Sequence, residues 1–244
     1  MPAGFYGPDL ACVHDAGFLG FARGAAPWVL KRLARRCEPG ARVVEIGCGS
    51  GGLTAALAAA GYRVIGVDIS RAMIRRARRR APTAAYRVAS WYRWSPPPCE
   101  AIVAVGECLN YLAATPARHR RALTAFFGRA GAALRPGGLL LFDLLEPHPA
   151  VPPRRTVAAE GAGWAIRAEI AEAGGLITRR MTLHREVAGR RRTRHETHRQ
   201  CRLSREPVAA ALRAAGFVVS WRDGYGRRRL PPGHVVAEAL RLFG

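Results

Sequence analysis

Apolar and polar positions along this chain follow two periods, and each predicts a different kind of layer. The runs Arg42–Ile46, Arg63–Val67, Tyr86–Ala89 and Ala101–Val105 are short and nearly continuous in apolar character, as strands covered on both faces must be. Between them lie helical stretches. Leu53–Ala60 closes at Gly61, Arg71–Arg80 stops before Pro82, and Pro116–Leu134 runs into Arg135–Pro136–Gly137–Gly138. A fifth strand, Leu139–Asp143, follows that turn. A helical tract, Ala26–Arg36, precedes the first strand, and Ser95–Pro96–Pro97–Pro98 reads as a loop. Strand and helix in alternation predict a doubly wound α/β sheet.

From Glu160 to Leu203 the period becomes two. Trp164, Ile166, Ala168 and Ile170 share one face, as do Ile177, Met181, Leu183 and Val187 beyond the Gly174–Gly175 turn. Thr193–Leu203 is more polar and follows a second turn at Gly189. This predicts an antiparallel meander inserted after the fifth strand. Ser204 then caps a last helix closed by Gly216, and Phe217–Trp221 and His234–Leu240 supply closing strands. One domain is expected over 1–244: a helical lid over 1–40, a body over 41–148, the insertion over 160–203 and the closing elements over 204–244. A chain of this size buries roughly 70–75% of its unfolded surface.

The chemistry concentrates where the first strand ends. Glu45–Ile46–Gly47–Cys48–Gly49–Ser50–Gly51–Gly52 forces a tight turn into the next helix, and glycine there lets the backbone approach a ligand. The neighbouring strand ends in Asp68, about twenty residues past Gly47, where a carboxylate meets the two hydroxyls of a ribose. The loop therefore reads as a nucleoside site. Gly47, Gly49 and Gly52 also satisfy the dinucleotide G-x-G-x-x-G pattern, so the glycines alone do not exclude NAD.

Glu45-x-Gly47-x-Gly49-x-Gly51 resembles motif I of the class I S-adenosylmethionine-dependent methyltransferases. Asp68–Ile69 resembles that family's ribose acid and adenine-stacking residue, and Leu134–Gly138 its turn into the fifth strand. The resemblance implies a Rossmann-like doubly wound seven-stranded sheet with an N-terminal helical lid, an antiparallel final strand and the inserted meander. It implies S-adenosyl-L-methionine as cofactor, with the acid before the glycines facing the cationic methionine end. The cofactor contacts it implies are Glu45, Gly47, Cys48, Gly49, Gly51, Asp68, Ile69, Met73, Ser90, Trp91, Gly106 and Glu107. Ser90–Trp91 stands where the family often places an acid beside adenine.

Val105–Gly106–Glu107–Cys108–Leu109–Asn110–Tyr111, past the fourth strand, lies beside the expected methyl-donor position. Glu107 is the candidate to orient an acceptor or take its proton, with Asn110 and Tyr111 positioning it. Tyr6 and His14, in a segment resembling the lid of small-molecule methyltransferases, are further pocket candidates; Arg23 is a candidate partner for the cofactor carboxylate and His148 for the acceptor. Catalysis is assigned to Glu107, His14 and Tyr111. Cys108 lacks the preceding proline of the cytosine C5 enzymes, so a nucleophile is not expected, and the Asp/Asn-Pro-Pro-aromatic motif of amino-directed nucleic-acid enzymes is absent. His184, His195 and His198 lack metal-like spacing, and no metal is expected.

Composition alters this picture little. The formal net charge of +22 invites a nucleic-acid reading, yet Lys31 is the only lysine and the basic clusters carry few interleaved aromatics. Specific nucleic-acid binding is not expected. Six cysteines show no C-x-x-C pair, no apolar run nears the ~20 residues of a membrane span, and Met1–Leu10 lacks signal-peptide character. A cytoplasmic small-molecule methyltransferase is the expectation. An RNA methyltransferase and a catalytically silent cofactor-binding regulator are the alternatives.

Overall fold

The computed structural model describes residues 5–242, so the first four residues of the expected lid lie outside it. Two helices, α1 (Pro8–Gly17) and α2 (Gly20–Leu33), precede strand β1 (Arg42–Ile46). Then come α3 (Gly52–Ala59), β2 (Arg63–Asp68), α4 (Arg71–Arg80), β3 (Ala85–Val88), β4 (Cys99–Ala104), a one-turn 3-10 helix (Cys108–Asn110), α5 (Pro116–Ala133) and β5 (Leu134–Leu145). The insertion holds β6 (Arg154–Gly161), β7 (Trp164–Ala173), β8 (Leu176–Val187) and β9 (Arg190–Cys201). The chain closes with α6 (Arg205–Ala214), β10 (Phe217–Arg222), a small hairpin of β11 (Gly224–Tyr225) and β12 (Arg228–Arg229), and β13 (His234–Arg241).

Seven strands form one sheet in the order β10-β13-β5-β4-β1-β2-β3. Strands β1 to β5 run parallel, and β13 lies antiparallel between β10 and β5. The chain reverses direction of travel between β1 and β4, and ligands of open α/β sheets bind outside the strand ends at such a point. One face packs Phe126, Phe127 and Leu212 from α5 and α6 against the sheet; the other packs Val29, Leu33, Leu53 and Leu57 from α2 and α3. Helix α4 shows why a strongly basic segment still folds here. Ala72, Met73, Ile74 and Ala77 form its buried stripe, Ser70 caps it by accepting from the Met73 N–H at 3.1 Å, and the last-turn arginines suit the negative end of the helix dipole.

The meander is a separate four-stranded sheet, β6-β7-β8-β9, one strand larger than the sequence pattern predicts. Strand β6 escaped because its residues are mostly exposed and show no apolar alternation. Helix α1 bridges this sheet and the body. Leu10 and Val13 pack on Ile166, Ala168, Met181 and Leu183. Asp9 pairs with Arg185 at 2.6 Å and faces Arg192 and Arg194, while Asp15 pairs with Arg76 and Arg80 of α4 at 3.0 and 2.7 Å. Ahead of α1, the backbone N–H groups of Tyr6 and Gly7 both donate to the Glu196 carboxylate at 2.9 Å, and the Ser70 hydroxyl donates to the Tyr6 carbonyl. The Leu134–Gly138 turn is a bulge inside β5: Cys99 pairs with Leu134, but Ala101 already pairs with Leu139. No helix among the described residues is long and apolar enough to cross a membrane.

Candidate functional site

The turn after β1 is left-handed three times, at Gly47 (φ 67°), Gly49 (φ 53°) and Gly51 (φ 84°), and the reasons differ. A Cβ on Gly47 would sit 2.2 Å from the Cys108 sulfur, so the β1 and β4 loops could not touch with any larger residue there. Gly49 has open space around it, and its N–H donates to Asp68 Oδ2 at 2.9 Å. Gly51 instead allows α3 to start against α4, since a Cβ would lie 3.0 Å from the Ala77 Cα. Gly51 does not line the cavity described below, so its expected role as a cofactor contact gives way to one in helix packing.

Two acids flank this turn. Glu45 is buried and accepts a hydrogen bond from the Thr54 hydroxyl of α3; burial, with nearby Asp68 adding to it, pushes its carboxyl up to about 8. Asp68 accepts from the Ser70 N–H at 2.7 Å as well as from Gly49. Burial raises it to about 6 despite those donors. Each oxygen keeps a lone pair for a further hydroxyl. Among the described residues no cation is paired with Glu45, so a ligand bearing positive charge next to this turn would be favoured and would draw the proton off.

A cavity of about 520 Å³ spans the strand ends from β3 to β4 beneath α1 and the meander. Glu45, Gly47, Cys48, Gly49, Asp68, Ile69 and Met73 line it along the turns after β1 and β2. Ser90 and Trp91 line it after β3, with the Trp91 indole N–H donating to the Cys108 carbonyl at 3.1 Å. Gly106, Glu107, Cys108 and Tyr111 form the wall after β4, and Tyr6, Leu10, His14 and Phe18 form the roof. Sequence reasoning therefore brought most of its candidates to one chamber. Within it, burial lowers His14 to about 4, leaving a neutral ring whose buried Nδ1 has no partner. The Tyr6 and Tyr111 hydroxyls meet at 3.0 Å. Burial also pushes the Cys48 and Cys108 thiols well up, so neither is a thiolate.

Glu107 has the least expected surroundings. It is a non-glycine residue at φ 59°, held there because the Gly106 and Glu107 N–H groups both donate to Asp143, which also accepts from the Tyr225 hydroxyl at 2.6 Å. Its carboxylate accepts from Arg179 Nη2 at 3.1 Å and Gln200 Nε2 at 2.9 Å, and bonds His234 Nε2 at 2.8 Å. Burial alone would raise its carboxyl, but the Arg179 charge and the His234 and Gln200 contacts outweigh it and bring it to about 2. A carboxylate so saturated is a poor proton acceptor, which, of the two roles expected of Glu107, favours orienting an acceptor over taking its proton.

Three other expectations fall outside the chamber. Arg23 is exposed on α2 and lines nothing there. Asn110 is fully buried: its amide bonds both backbone groups of Leu145 and the Cys201 carbonyl, tying the insertion to the body. His148 is exposed, and its Nδ1 accepts from the Ala150 N–H within its own loop. Conversely, Arg155 and Arg179 line the cavity and were not foreseen. For Arg179 a signal existed, a charged residue between Ile177 and Met181 on an apolar face. Among the described residues no His/Cys/Asp/Glu cluster is placed to hold a metal.

Comparison with known proteins agrees with this geometry. A family model described as a methyltransferase domain matches residues 18–220. The chain is 35% identical over 143 residues to a trans-aconitate 2-methyltransferase of Paracidovorax citrulli, a match covering 56% of this chain and 51% of that protein, so the chain spans about half the length of this curated relative. Its fold is similar to an S-adenosylmethionine-dependent methyltransferase of Clostridium acetobutylicum, with a TM-score of 0.80, 13% identity and coverage of 96% of this chain and 98% of the other. It is also similar to a sugar N-methyltransferase of Streptoalloteichus, with a TM-score of 0.74, 20% identity and coverage of 100% and 95%. With the acid–glycine turn, the ribose-type acid and this sheet order in one chain, the protein belongs to the methyltransferase-domain family, within the class I S-adenosylmethionine-dependent superfamily.

Proposed function

We propose that the chain transfers a methyl group from S-adenosylmethionine to a nitrogen or oxygen of a small molecule. The observation that carries this reading is the roofed chamber of about 520 Å³. It is of small-molecule size and has the acid–glycine turn on one wall and polar groups of the β4 loop on another. The relatives support both acceptor atoms, since one is described as a ubiquinone biosynthesis O-methyltransferase and another as a sugar N-methyltransferase. The roof favours a metabolite over a nucleic acid, whose backbone would need an open groove. The free cysteines fit a cytoplasmic setting.

The residues present fit this cofactor. Asp68 has lone pairs for the ribose hydroxyls, Glu45 has no cation and suits the positive methionine end, and Ile69, Met73, Ser90 and Trp91 frame the side expected for adenine. When bound, the cofactor supplies an already activated methyl group and its own leaving group. What remains for the protein is alignment and exclusion of water. Leu10, Phe18 and Tyr6 close the chamber from above. His14, kept neutral by burial, offers an uncharged ring nitrogen to an acceptor N–H or O–H, and the Tyr6–Tyr111 hydroxyl pair fixes its orientation.

Calorimetry with S-adenosylmethionine, its demethylated product and NAD tests the cofactor half; tight binding of NAD with no response to either sulfur nucleoside would sink the reading. Turnover of methyl-labelled cofactor with a cell extract tests the rest. Label in a small-molecule fraction is expected. Label at one position of a defined RNA would favour the nucleic-acid alternative, and cofactor binding without turnover a silent regulator.

A further inference from the structure

The meander turns one face towards the cavity, and strand pairing identifies the residues on it. Arg155 of β6 stands opposite Ile170 of β7, Ile170 opposite Arg179 of β8, and Arg179 opposite His198 of β9. Directly opposed residues of antiparallel strands share a face, so these four form one row. The adjacent row on that face is Val157, Ala168, Met181 and Glu196; the first three line the cavity, and Glu196 does not. Arg155 and Arg179 are thus two guanidinium groups flanking Ile170, and the other meander residues that line the cavity are apolar.

Neither has its hydrogen-bonding capacity filled. Arg179 gives Nη2 to Glu107, but its Nε is buried without an acceptor among the described residues. Arg155 gives Nη1 to the Pro152 carbonyl at 3.2 Å, and no carboxylate stands within ion-pair distance of it among the described residues. The acids around them are committed: Glu107 is shared by Arg179, Gln200 and His234, Glu172 holds Arg202, and Glu196 accepts from the Tyr6 and Gly7 N–H groups and bonds His198. The two arginines are near enough for Arg179, after burial, to depress Arg155. Like charges facing a partly desolvated chamber, with donors left over, call for an anion between them.

Building on the methyl-transfer reading, we infer that the acceptor is an organic acid whose oxyanion, a carboxylate or phosphoryl group, docks between Arg155 and Arg179, with an apolar body lying on Val157, Ile170 and Met181. Guanidinium forks suit paired oxygens, and a neutral group of the same shape would leave the donors unfilled. The two residues therefore act as specificity determinants and touch the acceptor away from the atom that is methylated.

The full chain, labelled with nitrogen-15 in its arginine side chains, tests this by titration with benzoate, phenyl phosphate and benzamide. Saturable shifts of the Arg155 and Arg179 Nε signals are expected with an anionic probe and not with benzamide; the tighter of the two anions identifies the oxyanion. Arg155→Met, a substitution on an exposed edge strand, is expected to weaken anion binding roughly tenfold or more, the scale of losing a charged hydrogen bond. The affinity for S-adenosylhomocysteine should be unchanged in that variant. Equal binding of benzamide, no saturable response to either anion, or an unchanged anion affinity in Arg155→Met would overturn the inference. The nucleoside measurement keeps the two readings apart: failure of the wild type to bind S-adenosylhomocysteine would remove the methyl-transfer reading, while the anion titration stands or falls by itself.

Discussion

Replacing Glu107 by glutamine keeps shape and removes charge, and the structure sets the size of the effect. The Glu107 carboxyl lies at about 2 against an ordinary 4.5, and the side chain is only 14% exposed. At about 1.4 kcal/mol per tenfold change in proton affinity, the surroundings favour the ionised form by about 3 kcal/mol. Because the folded-state value is depressed, that stabilisation is fully present above the unfolded value near 4.5 and disappears as pH falls through about 2. Glu107→Gln should therefore lose about 3 kcal/mol of unfolding free energy at pH 7, and the gap to wild type should narrow below about pH 4.5. Urea unfolding followed by tryptophan fluorescence at pH 7, 5 and 3 measures both. The variant protein that remains folded should keep turning over, because the carboxylate positions Arg179, Gln200 and His234 and takes no proton. Equal stability at pH 7, or a gap that does not change with pH, would refute the network argument. A loss of ~10²–10⁴-fold in rate with stability intact would restore general-base chemistry.

Asp68→Ala should weaken binding of S-adenosylhomocysteine by about 1–3 kcal/mol in calorimetry, the loss expected for charged hydrogen bonds, and an unchanged affinity would place the ribose elsewhere. Since Asp68 titrates at about 6 before ligand arrives, wild-type affinity should fall more steeply as pH drops below that value, and Asp68→Asn should remove that step while leaving the one due to Glu45 near 8. Gly47→Ala should destabilise the fold by at least about 1–2 kcal/mol from the left-handed backbone alone, with the Cys108 clash added. Combining it with Cys108→Ala should recover only the part due to the sulfur, which thermal unfolding of the two variants would show. Cys108→Ala by itself should retain most turnover, because the thiol is held protonated; a trapped protein–substrate adduct in wild type would contradict this.

Sequence and structure agree most closely where local chemistry acts alone. Strand Arg42–Ile46 and helix Arg71–Arg80 were legible to the residue, because a continuous apolar run and a capped amphipathic stretch each need no distant partner. Asp68 was legible for the same reason, its place being fixed by the glycine turn one strand away. The rest depends on pairing across the chain. Asn110 reads as a polar loop residue until Leu145 and Cys201 arrive to satisfy it. Glu107 looks like a free acid until β8, β9 and β13 bring three donors to it from 72, 93 and 127 positions away. Strand β6 carries almost no apolar signal, so Arg155 could not be placed on a cavity wall before β7 was paired with it.

Helix α1 and the residues leading into it touch three sides of the chamber at once. Leu10 and Val13 rest on the meander, Asp15 grips α4, and Tyr6 reaches Tyr111 beside the β4 loop. A single rigid element cannot shut over one ligand and stay open over the other. Two ligands that each favour the shut position must then raise each other's affinity by an equal factor, whichever arrives first, since linkage is reciprocal. On the proposed methyl-transfer reading, spent cofactor and methylated product would share this one cover, so a grip that excludes water during transfer would also slow their departure. The ionic contacts at Asp9 and Asp15 would then set the balance between a sealed chamber and a prompt release.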